Sequence, residues 1–301
     1  MANMTQSALG IDAGGTQTRW ALAGRDGAVL AEGTAAGLSA LQMGSAGGRA
    51  AFHAVLAEMA AEVLRHGAPQ AVRAGLTGFG GDGAQIQAWL AELLGIGSER
   101  ITLCGDIEIA YLGSFKPGEG YLIYAGTGSM GAYIDEENVF HRAGGRGVML
   151  DDGGGGFWIA REALRMIWRR EDECPGAWRD SAMARAVFAH IGGDDWALSR
   201  QFIYGQERGA VGKLALAVAA SAADDAAALA ILRAAGVELA RLARALTARF
   251  GERPVVLNGR ASSLHPAIVQ AMREDLPDTI QLTHTIGQAH YAAARIAADD
   301  L

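Results

Sequence analysis

The chain has 301 residues, half of them apolar and a fifth charged, which suits two ordinary domains or one large one and excludes a disordered chain. Its 26 basic and 33 acidic side chains leave a net charge of −7, which repels phosphate backbones and anionic lipid surfaces. Cys104 and Cys174 form neither a disulfide framework nor a metal cluster of the usual spacing, and no basic segment followed by an apolar stretch opens the chain, so the expectation is a cytoplasmic protein with no membrane or nucleic-acid partner.

Residues 8–35 alternate apolar strands with turns in the order ALGID, TRWALAG and AVLAEGTA, an antiparallel meander. Helical periodicity follows from Gly48 to Leu64, then a strand over Val72–Leu76, a helix over Ala84–Leu94, a strand over Arg100–Cys104 and a short helix from Asp106 to Phe115. This alternation implies helices covering a largely buried sheet. The Pro/Gly break KPGEG is the expected domain crossing. After it, GYLIYAG, MGAYID and VFHRAG repeat the meander roughly 112 residues further on, a weak internal duplication. A glycine-dense stretch, Gly144–Gly156, leads into a helix over Phe157–Arg169. An alanine-rich helical stretch runs from Ala223 to Phe250 with its Leu and Val positions on one buried face. PVVLNGRASS returns to strand and turn, two short elements follow, and a helix from Ile286 to Ala298 closes the sequence.

The 42 glycines, about twice ordinary usage, point to bare backbone at work. In Gly10–Thr18 a carboxylate, Asp12, ends a strand and is followed by a turn without Cβ atoms and then by hydroxyls. Such a turn lets backbone amides converge on an anion while the acid holds a hydrated Mg²⁺; a plain hairpin uses the same residues. Gly126-Thr127-Gly128-Ser129 occupies the equivalent turn of the second meander. Two such turns in two similar units can face each other across a cleft and grip one polyphosphate from both sides. Gly78–Gly83 matches the dinucleotide fingerprint, yet Gly126–Gly131 matches it too while lying between two strands, and no GxxxxGK[ST] phosphate loop exists. The seven histidines include no i, i+4 pair, which argues against a protein-held transition metal; His284 and His290 read as surface or satisfied helix residues.

DAGGTQT, LCGDIEIAYLGSF, YLIYAGTGSMG, GGRGVMLDDGGGGFWIAREAL and VVLNGRASSLHPAI, in this order and spacing, resemble the N-acetylglucosamine kinase and BadF-type ATPase family of the sugar kinase, Hsp70 and actin superfamily. The resemblance implies an α/β fold of two related actin-like (ribonuclease H-like) ATPase domains with an interdomain cleft. Residues 1–115 plus 286–301 would form the N-terminal domain, with the last helix packing back on it, and residues 116–285 the C-terminal domain. It further implies ATP and Mg²⁺ as cofactors, Asp12 as the acid that positions Mg²⁺ through water, and Gly14, Gly15 and Thr16 as the first phosphate turn. Thr127, Gly128 and Ser129 resemble the second phosphate turn, with Gly259 and Arg260 near the adenosine.

Asp106 matches the family's general base: a carboxylate that accepts the proton of a sugar hydroxyl as the γ-phosphoryl group transfers. Its residue type and place also suit a helix N-cap. The remaining sugar-side residues are Ser39, or its neighbour Ala40, where the family usually has Asn, and Thr77, Gly145, Arg146 and Asp152. Here the sequence departs from the family pattern: Asp151 and Gly153 flank Asp152 where Gly and Glu are usual, and Arg146 stands where kinases of N-acetylglucosamine often carry Trp. The expected activity is ATP-dependent phosphorylation of N-acetylglucosamine or glucosamine at O6, by a sugar kinase that the resemblance makes a homodimer. The alternative is an ATP-driven activator of 2-hydroxyacyl-CoA dehydratases, which would need cysteines in fixed places for an Fe–S cluster.

Overall fold

A computed structural model of the chain describes residues 6–301. Residues 1–5, part of the N-terminal stretch that reads as carrying no leader, lie outside the described residues. The chain divides into two compact units, Met1–Phe115 with Gly287–Leu301, and Lys116–Ile286.

In the first unit β1 (Ser7–Ala13), β2 (Gln17–Gly24) and β3 (Val29–Ala36) form the expected meander. It is followed by α1 (Ala46–His66), β4 (Ala71–Leu76), α2 (Ala84–Leu94), β5 (Ile101–Gly105) and α3 (Asp106–Leu112). The sheet order is β3-β2-β1-β4-β5, antiparallel through the meander and parallel from β1 to β5. Leu9 and Ile11 of β1 point with Trp20, Leu22 and Leu76 into the core beneath α1 and α2, where Phe52, Leu56, Val63, Ile86 and Leu90 meet them. Because side chains alternate along a strand, Ala8, Gly10 and Asp12 share the opposite face.

The second unit repeats this plan. It contains β6 (Tyr121–Ala125), β7 (Ser129–Ile134), β8 (Phe140–Gly144) and α4 (Gly156–Glu173). Four helices then run in series: α5 (Ala182–Ile191), α6 (Trp196–Gly205), α7 (Arg208–Gly212) and α8 (Leu214–Ser221). The long α9 (Ala226–Phe250), β9 (Val255–Asn258), α10 (Pro266–Asp275) and β10 (Leu282–His284) complete it. Its sheet order, β10-β9-β6-β7-β8, reproduces that of the first unit strand for strand, so the duplication read from the turns is one of topology. Asp225 starts α9 by accepting the amides of Ala227 and Ala228 at 3.0 and 3.4 Å. The buried face of α9 holds Ile231, Leu232, Leu239, Leu242 and Leu246, whereas Val237 is exposed. Among the described residues no single helix is long and apolar enough to cross a membrane.

The last helix, α11 (Ala289–Ala298), belongs to the first unit and begins three residues later than expected, leaving Ile286 exposed. It lies on the small-residue face of β1: a Cβ added to Gly10 would sit 2.1 Å from the amide nitrogen of Ala294 and 2.2 Å from the carbonyl of His290. His290 is buried with its Nδ1 unpartnered, not surface or satisfied as expected, and burial depresses its pKa to about 4. His284 is held near Ser262 Oγ at 3.0 Å.

Candidate functional site

The first-unit candidates gather at the carboxyl ends of three parallel strands, where open α/β sheets bind their ligands. Ala13, Leu76 and Gly105 lie in register across β1, β4 and β5. The next residues along each strand are therefore Gly14, Thr77 and Asp106. Half-buried Asp12 lies on β1 two residues before Gly14. The turn after it is tight: the Gly14 amide donates to Gln17 O at 3.1 Å, and Gly37 passes so close that a Cβ there would stand 2.3 Å from Gly15 O. Gly15 and Thr16 are exposed, and a Cβ on Gly15 would meet nothing within 4 Å.

Asp106 is the first residue of α3 but not its N-cap, a position that falls to Gly105. Its Oδ2 accepts the Thr77 hydroxyl at 2.6 Å and its Oδ1 accepts the Ile107 amide at 2.9 Å. Burial raises its pKa, opposed by these two hydrogen bonds, which favour the ionised form. Thr77 is in turn anchored to Ser39, whose Oγ donates to Thr77 O at 3.2 Å. Ser39 opens a 3₁₀ turn, Ala40–Gly44, with a capping box: its Oγ accepts from the Leu41 amide and its own amide donates to Gln42 Oε1 at 2.9 Å. Ser39, Thr77 and Asp106 thus form one hydrogen-bonded chain beside the Asp12 turn.

In the second unit Thr127 and Gly128 lie in the turn between β6 and β7, docked on the start of α4. The amides of Gly156 and Phe157 donate to Gly126 O and Thr127 O at 2.8 and 2.9 Å. Thr127 is exposed. Ser129 is not: it is buried, and its hydroxyl donates to Gly153 O at 2.6 Å. Of the two hydroxyls in this turn, that of Thr127 is exposed, whereas that of Ser129 ties the turn to the glycine-rich loop.

Asp152 lies in that loop, buried, with a left-handed backbone at φ 57° that few non-glycine residues adopt. Its Oδ1 accepts the Gly147 amide at 3.1 Å, and its Oδ2 stands 2.2 Å from where a Cβ on Gly128 would be, so Asp152 touches the phosphate-turn candidate directly. Burial raises its pKa, and the neighbouring Asp151 charge adds to the rise. Gly145, at φ 62°, and exposed Arg146 precede Gly147 in the same loop. Gly259 adopts φ 101°, and a Cβ there would sit 2.4 Å from Ala125 O, so the end of β9 closes against the end of β6. Exposed Arg260 follows it at the start of a 3₁₀ turn.

One supporting cluster escapes the sequence reading. Arg241 of α9 donates to Asp151 Oδ1 at 3.0 Å and to Glu238 at 2.9 Å, which ties the Asp151 side chain to α9. The available signal was an i, i+3 Glu/Arg pair on the polar side of an alanine-rich helix.

An N-acetyl-D-glucosamine kinase of Dictyostelium discoideum is 33% identical over 90 residues, a match spanning 29% of this chain and 28% of that relative. The solved structure of a Chromobacterium violaceum protein, provisionally named N-acetylglucosamine kinase, superposes with a TM-score of 0.73 at 27% identity over 98% of this chain and 99% of its own. A Streptomyces griseus ROK family glucokinase, solved with glucose and AMPPNP, shares the fold with a TM-score of 0.65 at 14% identity, covering 98% of each chain. The paired-sheet architecture is that of sugar kinases with the actin-like ATPase fold. The model of the BadF/BadG/BcrA/BcrD ATPase family matches residues 9–294, and the chain belongs to that family.

Proposed function

We propose that this protein is an ATP-dependent sugar kinase that transfers the γ-phosphoryl group of ATP directly to an amino sugar, glucosamine or N-acetylglucosamine, at O6. The observation that carries this reading is Asp106: a half-buried carboxylate at the carboxyl end of β5, held by two hydrogen bonds and in one row with Thr77 after β4 and Gly14 of the Asp12 turn after β1. The relatives named as N-acetylglucosamine kinases support the substrate class.

In this reading the Gly14–Thr16 turn, through exposed Gly15 and Thr16, and the Thr127–Gly128 turn, through exposed Thr127, bind the phosphates, Ser129 holds the second turn, and Gly259 and Arg260 lie by the adenosine. Asp152, Gly145, Arg146 and Ser39 contact the sugar. Asp106 accepts the proton of the attacking hydroxyl. Chemistry of this kind depends on orientation and charge stabilisation more than on covalent help. Asp12 is a hard oxygen donor next to a bare turn, and no group of three or more His, Cys, Asp or Glu among the described residues could enclose a metal. That donor set fits Mg²⁺ bound mainly by water and phosphate oxygens, with Asp12 at its edge. Mg²⁺ would supply neutralisation of the phosphate charge.

The dehydratase-activator reading is not favoured. Cys104 is buried with its thiol pushed up to about 12, mainly by burial, while Cys174 lies exposed at the end of α4. A thiol held protonated in this way is not a ready ligand at Cys104. The assignment of the base is tested by Asp106→Asn: kcat falls by about 10²- to 10⁴-fold with the KM for ATP nearly unchanged. Near-normal turnover in that variant overturns it.

A further inference from the structure

We propose that Thr77 is the positioning residue of Asp106, its hydroxyl holding the carboxylate in the orientation that receives the substrate proton. The inference rests on the reading of Asp106 as the base and assigns Thr77 a different task from contacting sugar. Thr77 follows β4 directly, and its backbone is fixed on both sides: its amide donates to Ala13 O at 3.0 Å, and its carbonyl accepts from the Ala40 amide at 2.9 Å and from Ser39 Oγ at 3.2 Å. From this fixed platform the hydroxyl donates to Asp106 Oδ2 at 2.6 Å, a short charge-assisted bond. The Ile107 amide donates to the other oxygen at 2.9 Å. Held from two directions, the carboxylate loses its freedom to rotate, while each oxygen keeps a lone pair for an incoming proton.

In the proposed reaction the acceptor hydroxyl oxygen forms a bond to the γ-phosphorus as the bond from that phosphorus to the β-bridging oxygen breaks. The electron pair of the broken bond leaves with ADP, and the hydroxyl proton passes to Asp106. Thr77 keeps its own proton throughout. Its donation favours the ionised form of Asp106 and so opposes the effect of burial. Removing the hydroxyl therefore raises the pH at which the base becomes available.

The charged and titratable groups on the elements packed against α3 are Asp12 of β1, Arg73 of β4, Cys104 of β5 and His290, Tyr291 and Arg295 of α11, together with Glu108 and Tyr111 of α3 itself. All are common to the native protein and a Thr77 variant, so a difference between their profiles reports the lost hydroxyl.

The test is the pH profile of kcat and KM between pH 4.5 and 8 for the native enzyme, Thr77→Val, Thr77→Ser and Asp106→Asn, with MgATP and whichever of glucosamine and N-acetylglucosamine turns over faster. Thr77→Val is expected to lower kcat about tenfold with a small change in KM for the sugar, and to move the acidic limb up by about one pH unit. Thr77→Ser restores both. If Thr77→Val does not fold, Thr77→Ala is read on the same profile. A valine or alanine variant whose limb coincides with the native one, while Asp106→Asn is inactive, overturns the positioning role alone. An Asp106→Asn enzyme that keeps its turnover overturns the base assignment on which the role rests.

Discussion

Gly15 and Gly128 belong to equivalent turns but answer to different constraints. A Cβ on Gly128 would collide with the Asp152 carboxylate at 2.2 Å, so a substitution there disturbs the loop before it reports on any ligand. At Gly15 the space is open. Gly15→Ala is therefore expected to change stability by less than about 0.5 kcal/mol, as surface substitutions do. The same methyl intrudes where the phosphate is proposed to lie, and the KM for ATP should rise roughly tenfold. A thermal melt and an ATP titration read the two effects separately. An unchanged KM in a fully stable variant would remove this turn from the phosphate site. Asp106 illustrates what residue type alone leaves open: carboxylates at helix starts are commonly caps, and only the Thr77 contact and the Gly105 cap separate the two roles.

Among the elements, α11 carries the sharpest steric demand. Gly10 lets its backbone approach β1 so closely that any side chain there would overlap Ala294 N and His290 O. Gly10→Ala should destabilise the first unit by about 3 kcal/mol or more, since backbone rather than a flexible side chain stands in the way. Denaturant midpoints measure this; a loss below about 0.5 kcal/mol would mean that α11 does not rest on β1. The sequence made the meanders, α2 and the strand ends legible, because apolar alternation and glycine turns are local signals. It did not reveal what Gly10 or Gly236 is for. A Cβ on Gly236 would sit 2.2 Å from Ile268 O of α10, and such helix contacts join residues distant in sequence. For the same reason His290 read as an ordinary helix residue, and the Asp151–Arg241 pair, 90 positions apart, went unseen.

For the whole molecule, two units with one strand order repeat a plan in which a glycine turn joins the first two strands of each meander. The phosphate side of the proposed site follows this repeat, with the Gly14–Thr16 and Gly126–Gly128 turns in matching places. The sugar side repeats less closely: Ser39 follows β3 as Arg146 and Asp152 follow β8, but they differ in residue type. Family membership was legible across residues 9–294 because the glycine turns keep the family pattern, while the identity of the sugar was not, because Arg146, Asp151 and Gly153 depart from it. The account is tested most directly by coupled ADP release from MgATP across amino sugars, neutral hexoses and anhydro sugars. The predicted result is sugar-dependent ADP formation, strongest with glucosamine or N-acetylglucosamine; ADP release no faster with any sugar than without one would contradict it.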